Sequence, residues 1–538
     1  MTIVRINKPS AEAWSGPALL DRHKFRVLIV YPNLSMMLTP SYAVGLFTAI
    51  LRNQGYAVEL FDCTPYHPSA EFLGEPLPVT RANKLLNSRR FDAKALFGNS
   101  KIDLIGDFVR AIEAYRPHAV VFSTLVEDTW PQAQQLLEAL SHFPEIKSIV
   151  GGVFTTMAPE LVISYPHTRC IGLGEGEETI VDFCECVRHG ALPTHISGTW
   201  AKDDDGNIIR NAPRSLVNIN NVIPDFSLFD ERRFYRPLGA RIWKAIPLET
   251  YRGCPYTCTF CNSPAQVIIA KENEQGYFLR RKSMPTLKKE IETMVERYSP
   301  EFLYINDDAF MARGKAEMEA FAEMYKEFRL PFWFQTRFED VDAEKLAWMG
   351  GVGCYRISFG IEHGNEKFRR EKLYRNISND RILNQAKIVS QSGIPYTLNN
   401  VIGFPYETRE LFFDTVKLNR EINSFDSVSV NIFVPYHGTV LRDMAIKEGW
   451  LDPHRQTTSV IAESILTMPP PYLSGHDILS LQRVFPLYVR MPESRYPEIQ
   501  RAENFNQEGN AIFDTLSEEF YQMVYGVDEA KRMLTFQG

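Results

Sequence analysis

Short apolar runs alternate with amphipathic stretches over the first third of the chain. Short buried strands that alternate with helices are typical of a parallel sheet with helices on both faces. The pattern therefore predicts a doubly wound α/β domain over residues 24–213, which ends in a hairpin at Thr199–Ala201 and Ile208–Arg210. The predicted parallel strands are Arg26–Tyr31, Ala57–Phe61, Ala119–Ser123, Ser148–Val150 and Cys170–Gly172, and the predicted helices are Tyr42–Gln54, Lys101–Tyr115, Thr129–Ser141 and Glu177–Arg188.

A second block of alternating strands and helices covers residues 245–450. Six successive β-α units predict an open, partial (β/α)6 barrel. A proline-containing linker over 214–244 precedes it, a mostly helical region over 451–538 follows, and 1–23 form an N-terminal arm. The six strands are expected at Ala245–Thr250, Phe302–Asn306, Phe332–Thr336, Cys354–Phe359, Pro395–Asn400 and Ser427–Phe433.

Composition narrows the functional classes. The 538 residues carry a net charge of −7, and the pI is about 6.0, which argues against a nucleic-acid carrier. No apolar stretch is long enough to span a bilayer, and the first residues lack the apolar core of a signal peptide. We therefore expect a cytoplasmic protein with no membrane partner, whose eight cysteines are not a disulfide framework.

Three of the eight cysteines lie within eight positions: Cys254, Cys258 and Cys261, at C-x3-C-x2-C spacing. They follow the first predicted barrel strand, and active sites of β-α barrels lie at that end of the strands. Closed zinc sites and ordinary iron–sulfur clusters take four ligands, so three thiolates leave one metal position open for chemistry. A 4Fe–4S cluster with one free iron could bind S-adenosylmethionine (SAM) there. A zinc site completed by a distant residue and metal-free buried thiols are the alternatives, although the nearest histidines are His195 and His363.

The triplet with Phe260, inside a six-fold β-α block, resembles the radical SAM superfamily. Further matches lie at predicted strand ends: Asn306–Phe310, Gln335–Arg337, Ser358–Glu362, Asn400–Pro405 and Pro435–Thr439. The resemblance implies that Arg337 suits the SAM carboxylate, Glu362 its ribose or amino group, and Phe260 its adenine. The full set of implied SAM contacts is Phe260, Asp307, Gln335, Arg337, Glu362 and Asn400. Asp307 could instead cap a helix, and Arg337 could be a surface residue.

Glycines follow two strands of the first block, at Gly151-Gly152 and at Gly174-Glu175-Gly176. Glycines at strand ends allow close ligand approach, and doubly wound sheets bind ligands at that edge, although tight turns are an equal alternative. Taken together with the predicted barrel that follows it in the sequence, the block resembles the Rossmann-like domain of cobalamin-dependent radical SAM enzymes. The resemblance implies a set of cobalamin contacts: Leu38, Thr39, Tyr42, Ser123, Thr124, Gly151, Gly152, Thr155, Thr156, Gly174, Glu175 and Gly176.

One departure concerns the lower face of the corrin. Other cobalamin proteins carry Asp-x-His-x-x-Gly, and this chain does not. The loop after the first strand, from Met36 to Leu38, would then face cobalt without an imidazole. A missing lower ligand favours four-coordinate cobalt(I), which can take a methyl group from SAM. A domain that keeps the fold and has lost the cofactor is the alternative.

The resemblance implies a methyltransferase that acts on an unactivated carbon, or on phosphorus, of a small-molecule substrate. A 5′-deoxyadenosyl radical would remove hydrogen and methylcobalamin would supply the methyl group, with electrons from a flavodoxin- or ferredoxin-type reductant. An oxidation, cyclisation or ring rearrangement with the same cofactors is one alternative. Radical chemistry without cobalamin and a non-enzymatic zinc-binding scaffold are the others.

Overall fold

The computed structural model describes residues 20–34, 39–66, 86, 101–124, 126–239, 241–457 and 463–526. The chain divides into two compact units. Described residues of the first fall within Met1–Gly74, Phe97–Arg236 and Ala265–Arg297, and those of the second within Glu75–Leu96, Pro237–Pro264 and Tyr298–Gly538.

The first unit is built on a seven-stranded sheet in the order β2-β1-β3-β4-β5-β6-β7. Strands β1 to β5 are parallel, whereas β6 and β7 form the antiparallel hairpin that the sequence predicts. Strand order reverses between β1 and β3, which is where doubly wound sheets bind ligands. The strands are β1 Arg26–Tyr31, β2 Ala57–Asp62, β3 Ala119–Ser123, β4 Lys147–Gly151, β5 Cys170–Gly172, β6 Thr199–Lys202 and β7 Ile208–Arg210.

Because helices cover both faces of this sheet, its central strands β1 and β3 are buried, except for Arg26 at the start of β1. Two short helices after β4 were not expected from the sequence, since neither is long enough to show a helical period. The helices are α1 Tyr42–Asn53, α2 Leu104–Tyr115, α3 Trp130–Leu140, α4 Val153–Met157, α5 Pro159–Ser164 and α6 Thr179–Arg188.

The second unit contains a seven-stranded sheet in the order β16-β15-β14-β13-β12-β9-β8, with parallel pairing from β9 to β16. Together with the first unit, this sheet confirms the predicted fold class. Its strands are β8 Tyr235–Leu238, β9 Arg241–Leu248, β12 Phe302–Ile305, β13 Phe332–Thr336, β14 Cys354–Glu362, β15 Tyr396–Ile402 and β16 Ser427–Ile432. The chain also contains two short strands outside this sheet, β10 Tyr251–Arg252 and β11 Arg280–Arg281.

Two stretches differ from the predicted boundaries. The supposed linker over 214–244 contains β8 and the start of β9; Pro237 is compatible with a strand because β8 lies at the sheet edge. Residues Ala265–Arg297, expected in the barrel block, belong to the first unit. The ion pair of Arg280 with Glu175 and the hydrogen bond of 2.6 Å from Tyr42 to Glu290 connect them to the rest of that unit.

The remaining helices are α7 Ser263–Glu272, α8 Met284–Tyr298, α9 Lys315–Tyr325, α10 Ala343–Gly351, α11 Glu366–Glu371, α12 Asn379–Gln391, α13 Arg409–Ile422, α14 Val440–Lys447, α15 Gly475–Arg490, α16 Tyr496–Ala502 and α17 Gln507–Tyr525. The last three form the helical C-terminal region that the sequence predicts. Gln482 of α15 is buried and donates a hydrogen bond of 3.2 Å to the backbone oxygen of Val430, on edge strand β16.

Asp128 is a buried carboxyl in the turn after β3. It is 6% exposed, and no hydrogen bond is donated to its Oδ1. Burial raises its pKa from 3.8 to about 6. Because the pKa of Asp128 is higher in the folded protein than in the unfolded chain, the protonated carboxyl favours the folded state. This contribution to the free energy of unfolding is fully present below about pH 4 and is lost as the pH rises through 6.

We therefore expect the Asp128→Asn variant, which has no carboxyl group to ionise at this position, not to show this loss of unfolding free energy. Between about pH 4 and pH 7 the wild type should lose about 2 kcal/mol of unfolding free energy relative to the variant. Urea unfolding of both proteins across this range measures the difference. A constant difference with pH would contradict the assignment.

Candidate active site

The cysteine loop follows β10 at the carboxyl ends of the second sheet. Gly253 turns the chain into it with φ of +96°, a conformation that L side chains rarely adopt. Cys254, Cys258 and Cys261 follow and are partly exposed, and the N–H of Cys261 donates to the backbone oxygen of Cys258 at 3.3 Å. The loop therefore presents all three thiols without burying any of them fully.

Asp307 fixes the start of this loop from the end of β12. Its Oδ1 accepts the backbone N–H groups of Thr250 at 2.8 Å and of Tyr251 at 3.1 Å. Its Oδ2 accepts from the Thr250 hydroxyl and is paired with Arg313. These bonds use all the acceptor positions of the carboxylate. The predicted contact of Asp307 with SAM gains no support from this arrangement; the residue supports the cysteine loop.

The chemistry of the three thiols fits an iron–sulfur cluster. Burial raises the pKa of Cys254 and of Cys261 to about 12, and also raises that of Cys258, against the opposing charges of Arg375 and Arg337. Within the described ranges, no three His, Cys, Asp or Glu side chains converge as ligands of a single metal ion would. A cubane cluster makes a different demand, since each thiolate binds a separate iron.

Arg337 lies directly against this triplet. Its Nη1 donates to the Sγ of Cys258 at 3.3 Å, and its guanidinium carbon lies 3.6 Å from the centre of the Tyr256 ring. Glu339 forms an ion pair with the other edge of the guanidinium. The hydrogen bond to sulfur is a contact that would tune the potential of a cluster at this position.

Arg375 is a further charged residue near Cys258, and the sequence analysis did not identify it. It is 2% exposed, and it pairs with Glu362 at 2.7 Å and with Glu339 at 3.6 Å. Glu362 has φ of +66° beside a bulge in β14, which turns its side chain toward this arginine. Arg337, Glu339, Glu362 and Arg375 therefore form one network of alternating charge that ends at Cys258.

Two other predicted SAM contacts lie in different environments. Gln335 donates its amide to the backbone oxygen of Asp307 at 3.3 Å and stays partly exposed. Asn400 is fully buried and exchanges hydrogen bonds of 3.1 and 2.9 Å with Asn419 of α13. Its side chain therefore points into the helix layer, which contradicts its predicted place at SAM. Its neighbour Asn399 points to the opposite face of β15.

Phe260 has a defined neighbour in the second unit. Its ring centre lies 5.5 Å from that of Phe404, in the turn after β15. The Oε2 of Glu407 accepts the N–H groups of Gly403 at 2.6 Å and Phe404 at 3.1 Å, and His363 Nε2 lies 3.4 Å from its Oε1. Glu407 thus shapes the turn that supports Phe260.

We expect Glu407→Leu to leave two buried N–H groups unpaired, at a cost of about 1–3 kcal/mol each. The melting temperature of the Glu407→Leu variant should therefore fall. Its affinity for SAM should also fall about tenfold, a change that corresponds to 1.4 kcal/mol of binding free energy. Calorimetric SAM titration of the cluster-loaded protein measures the latter. Glu407→Gln keeps an acceptor and is the matched control, so equal losses in both variants would contradict this role.

The first unit brings together the residues predicted for the nucleotide tail of cobalamin. Thr124 donates its N–H and its hydroxyl to the Gly151 oxygen at 2.7 and 2.8 Å, and its hydroxyl lies 3.1 Å from that of Thr155. A Cβ on Gly152, where φ is +132°, would lie 1.9 Å from the Thr124 oxygen. A Cβ on Gly151 would make only an ordinary contact, 3.8 Å from the backbone oxygen of Gly172.

The loop after β5 joins this edge. Thr156 accepts the Gly174 N–H at 2.9 Å. Glu175 is held by an ion pair with Arg280 and accepts the Val217 N–H at 2.8 Å. A Cβ on Gly176 would lie 2.8 Å from the Phe47 ring, so helix packing accounts for this glycine.

The remaining predicted cobalamin contacts are in the segment after β1 and at the end of β3. Ser123 is buried at the end of β3, on the sheet edge where strand order reverses. The Thr39 hydroxyl accepts from Arg236 at 2.8 Å, and Tyr42 donates to Glu290 at 2.6 Å. Leu38, with the rest of Met36–Leu38, lies outside the described residues.

Two family models match the chain. Residues 248–418 match the radical SAM superfamily, and residues 69–183 match the B12 binding domain. An uncharacterized methyltransferase of Pyrococcus horikoshii, PH0819, is 24% identical over 70% of this chain and 80% of its own length. Cytidylyl-2-hydroxyethylphosphonate methyltransferase of Streptomyces wedmorensis is 22% identical over 90% of this chain and 93% of its own.

Solved structures share the fold. The radical SAM methyltransferase TsrM of Kitasatospora setae, with cobalamin and a [4Fe-4S] cluster bound, has a TM-score of 0.60 at 13% identity and covers 94% of this chain and 100% of its own. The cobalamin-dependent SAM radical enzyme OxsB, with aqua-cobalamin and SAM bound, has a TM-score of 0.63 at 14% identity, over 94% of this chain and 72% of its own.

The two matched domains and the methyltransferase relatives define the class: the chain is a radical SAM enzyme with a B12-binding domain. It belongs to the cobalamin-dependent, methyltransferase-like radical SAM enzymes, and its cofactors are a 4Fe–4S cluster, SAM and cobalamin. The predicted family and cofactors are thereby confirmed.

Proposed function

We propose that this enzyme transfers a methyl group to an unactivated carbon of a small-molecule substrate. The observation that carries the proposal is the presence in one chain of a three-thiol loop and a corrinoid-type sheet edge built on Thr124, Gly151 and Gly152. The relatives named as methyltransferases support methyl transfer as the outcome.

When bound, the cluster, SAM and cobalamin supply a radical that removes hydrogen from the substrate and the methyl group that replaces it. The protein's own residues position these groups. Cys254, Cys258 and Cys261 would hold the cluster, and Arg337 would keep a hydrogen-bond donor at Cys258. Glu362, fixed by Arg375, has a carboxylate suited to SAM hydroxyl or amino groups. Phe260, backed by Phe404, offers a flat apolar surface for adenine.

In the first unit, Ser123, Thr124, Gly151, Gly152, Thr155 and Thr156 would hold the corrinoid tail. Their hydroxyl groups suit a polar ligand, and the two glycines lack side chains that would keep it from the backbone. We also propose that Thr39, Tyr42 and Glu175 lie near the bound cobalamin.

The partners belong to the same proposal. We assign a flavodoxin- or ferredoxin-type reductant, a small-molecule substrate and a cytoplasmic location, with no nucleic acid, consistent with the net charge of −7. No helix in the described ranges is long and apolar enough to cross a membrane.

Anaerobic reconstitution with iron, sulfide and hydroxocobalamin, followed by turnover with methyl-deuterated SAM, tests the function. We expect the deuterated methyl group in the product of a cell extract that contains the natural substrate, together with 5′-deoxyadenosine. Deoxyadenosine with an unlabelled, altered product would instead favour oxidation, cyclisation or rearrangement. Label on phosphorus would show that phosphorus, and not carbon, is the methyl acceptor.

A further inference from the structure

One face of the second sheet carries a row of uncharged polar side chains. In β14 and β15, Ser358 pairs with Thr397 and their hydroxyl oxygens are 2.7 Å apart, which shows that both point to the same face. In β15 and β16, Asn399 pairs with Ser429, and the serine donates to Asn399 Oδ1 at 2.9 Å. We call Ser358, Thr397, Asn399, Ser429 and Asn431 the polar face; Asn400 marks the opposite face, which helices cover.

The polar face has hydrogen-bonding capacity to spare. Thr397, Asn399, Ser429 and Asn431 are all partly exposed. In the described part of the chain, the amide nitrogen of Asn399 and both polar atoms of Asn431 form no hydrogen bond. Primary amides supply two donors and an acceptor without charge. Two such groups, two residues apart in register on neighbouring strands, can bind one polar ligand together.

Aromatic side chains lie below the polar face, toward the amino ends of the strands. Tyr304 stacks on Trp333 with ring centres 4.1 Å apart, and Trp333 donates its indole N–H to Ser358 at 2.9 Å. Trp243, Phe302 and Tyr355 pack into the same layer. This layer closes the lower end of the face with apolar surface.

Four arginines near this sheet are paired with carboxylates. Arg337 pairs with Glu339, Arg375 with Glu362 and Glu339, Arg356 with Asp426, and Arg252 with Glu249. To bind one of these four arginines, a phosphonate or phosphate would have to replace its carboxylate partner. Removing one partner of a buried pair is costly.

We infer that the substrate is a neutral molecule that carries hydroxyl, carbonyl or amide groups, and that Asn399 and Asn431 bind those groups. The inference rests on the proposed function and adds its substrate class. It separates this chain from its relative named for a phosphonate substrate, because the polar face offers amides where an anion would need guanidinium or ammonium groups.

Saturation-transfer NMR on the full chain, loaded with cluster, cobalamin and SAM, tests the substrate class without turnover. The probes are neutral (myo-inositol, N-acetylglucosamine and glycinamide derivatives) and anionic (2-hydroxyethylphosphonate, cytidine monophosphate and inorganic phosphate). We expect the neutral set to bind more strongly. The Asn399→Leu, Asn431→Leu double variant should bind it about tenfold more weakly, because both amide groups that bind the ligand are lost. Asn510→Leu, an exposed asparagine of α17, is the control.

Stronger binding of the anionic set, an absence of binding by the neutral set, or unchanged binding in the double variant would each overturn the inference. If the double variant does not fold, Asn431→Asp decides, because it keeps the shape and removes the amide donors. Because no turnover is needed, failure here is distinct from failure of methyl transfer, which the deuterium label reports separately.

Discussion

Replacement of Cys258 by alanine should abolish the formation of 5′-deoxyadenosine. The variant loses one of three cluster ligands and the sulfur to which Arg337 donates at 3.3 Å. Even the outer partners of metal ligands are worth about 10- to 100-fold in affinity or activity, so we expect a loss of at least about 100-fold. Anaerobic iron and sulfide analysis and chromatography of the SAM cleavage products measure the two effects.

Cys354→Ala is the matched control. Cys354 is buried at the start of β14, outside the triplet, and its replacement should cost packing energy and leave the iron content unchanged. Deoxyadenosine formation by Cys258→Ala at the wild-type rate would remove the basis for the assigned cluster.

Replacement of Gly152 by alanine should weaken the binding of cobalamin to the enzyme. The added Cβ would lie 1.9 Å from the backbone oxygen of Thr124, so one of the two loops must move. The positive φ of +132° adds backbone strain of about 1–2 kcal/mol. Because Thr124 and Gly151 form the edge assigned to the corrinoid tail, we expect at least about tenfold weaker binding, the equivalent of 1.4 kcal/mol. Titration with hydroxocobalamin, followed by its absorbance, measures the affinity.

Gly206→Ala separates strain from steric collision. Gly206 also has a positive φ, of +85°, but an added Cβ there would meet nothing within 4 Å. This control in the β6–β7 turn should lose a little stability and keep its corrinoid affinity. Equal affinity losses in both variants would show that general destabilisation, and not the edge near Thr124, is responsible.

The sequence was sufficient for the strands and for the cofactor chemistry. Buried parallel strands are continuous apolar runs, so β1 was predicted with its observed bounds. The cysteine spacing is local and does not depend on how distant segments pack. Gly152 and Gly174 have positive φ values, and such positions favour glycine wherever the chain later lies, so these glycines are visible in the sequence.

The directions of side chains and their long-range partners could not be predicted from the sequence. Asn399 and Asn400 are adjacent and chemically identical, and which one points to the helices depends on strand register, where a shift of one residue reverses every side chain. Arg375 follows Glu362 by 13 positions through a turn and a short helix, and no local motif predicts their ion pair. Asp307 was interpreted as a ligand contact because its four hydrogen bonds come from residues more than five positions away.

The hydrogen bond from Gln482 to Val430 has a consequence for shortened forms of the protein. The outer backbone groups of β16 would face water without α15, and an open strand border is a template for pairing with other chains. A chain that stops before Gly475 should therefore self-associate even if its cofactor-binding residues are intact. The C-terminal helices would thus protect the enzyme from aggregation, and they would limit how much of its C-terminal region can be removed.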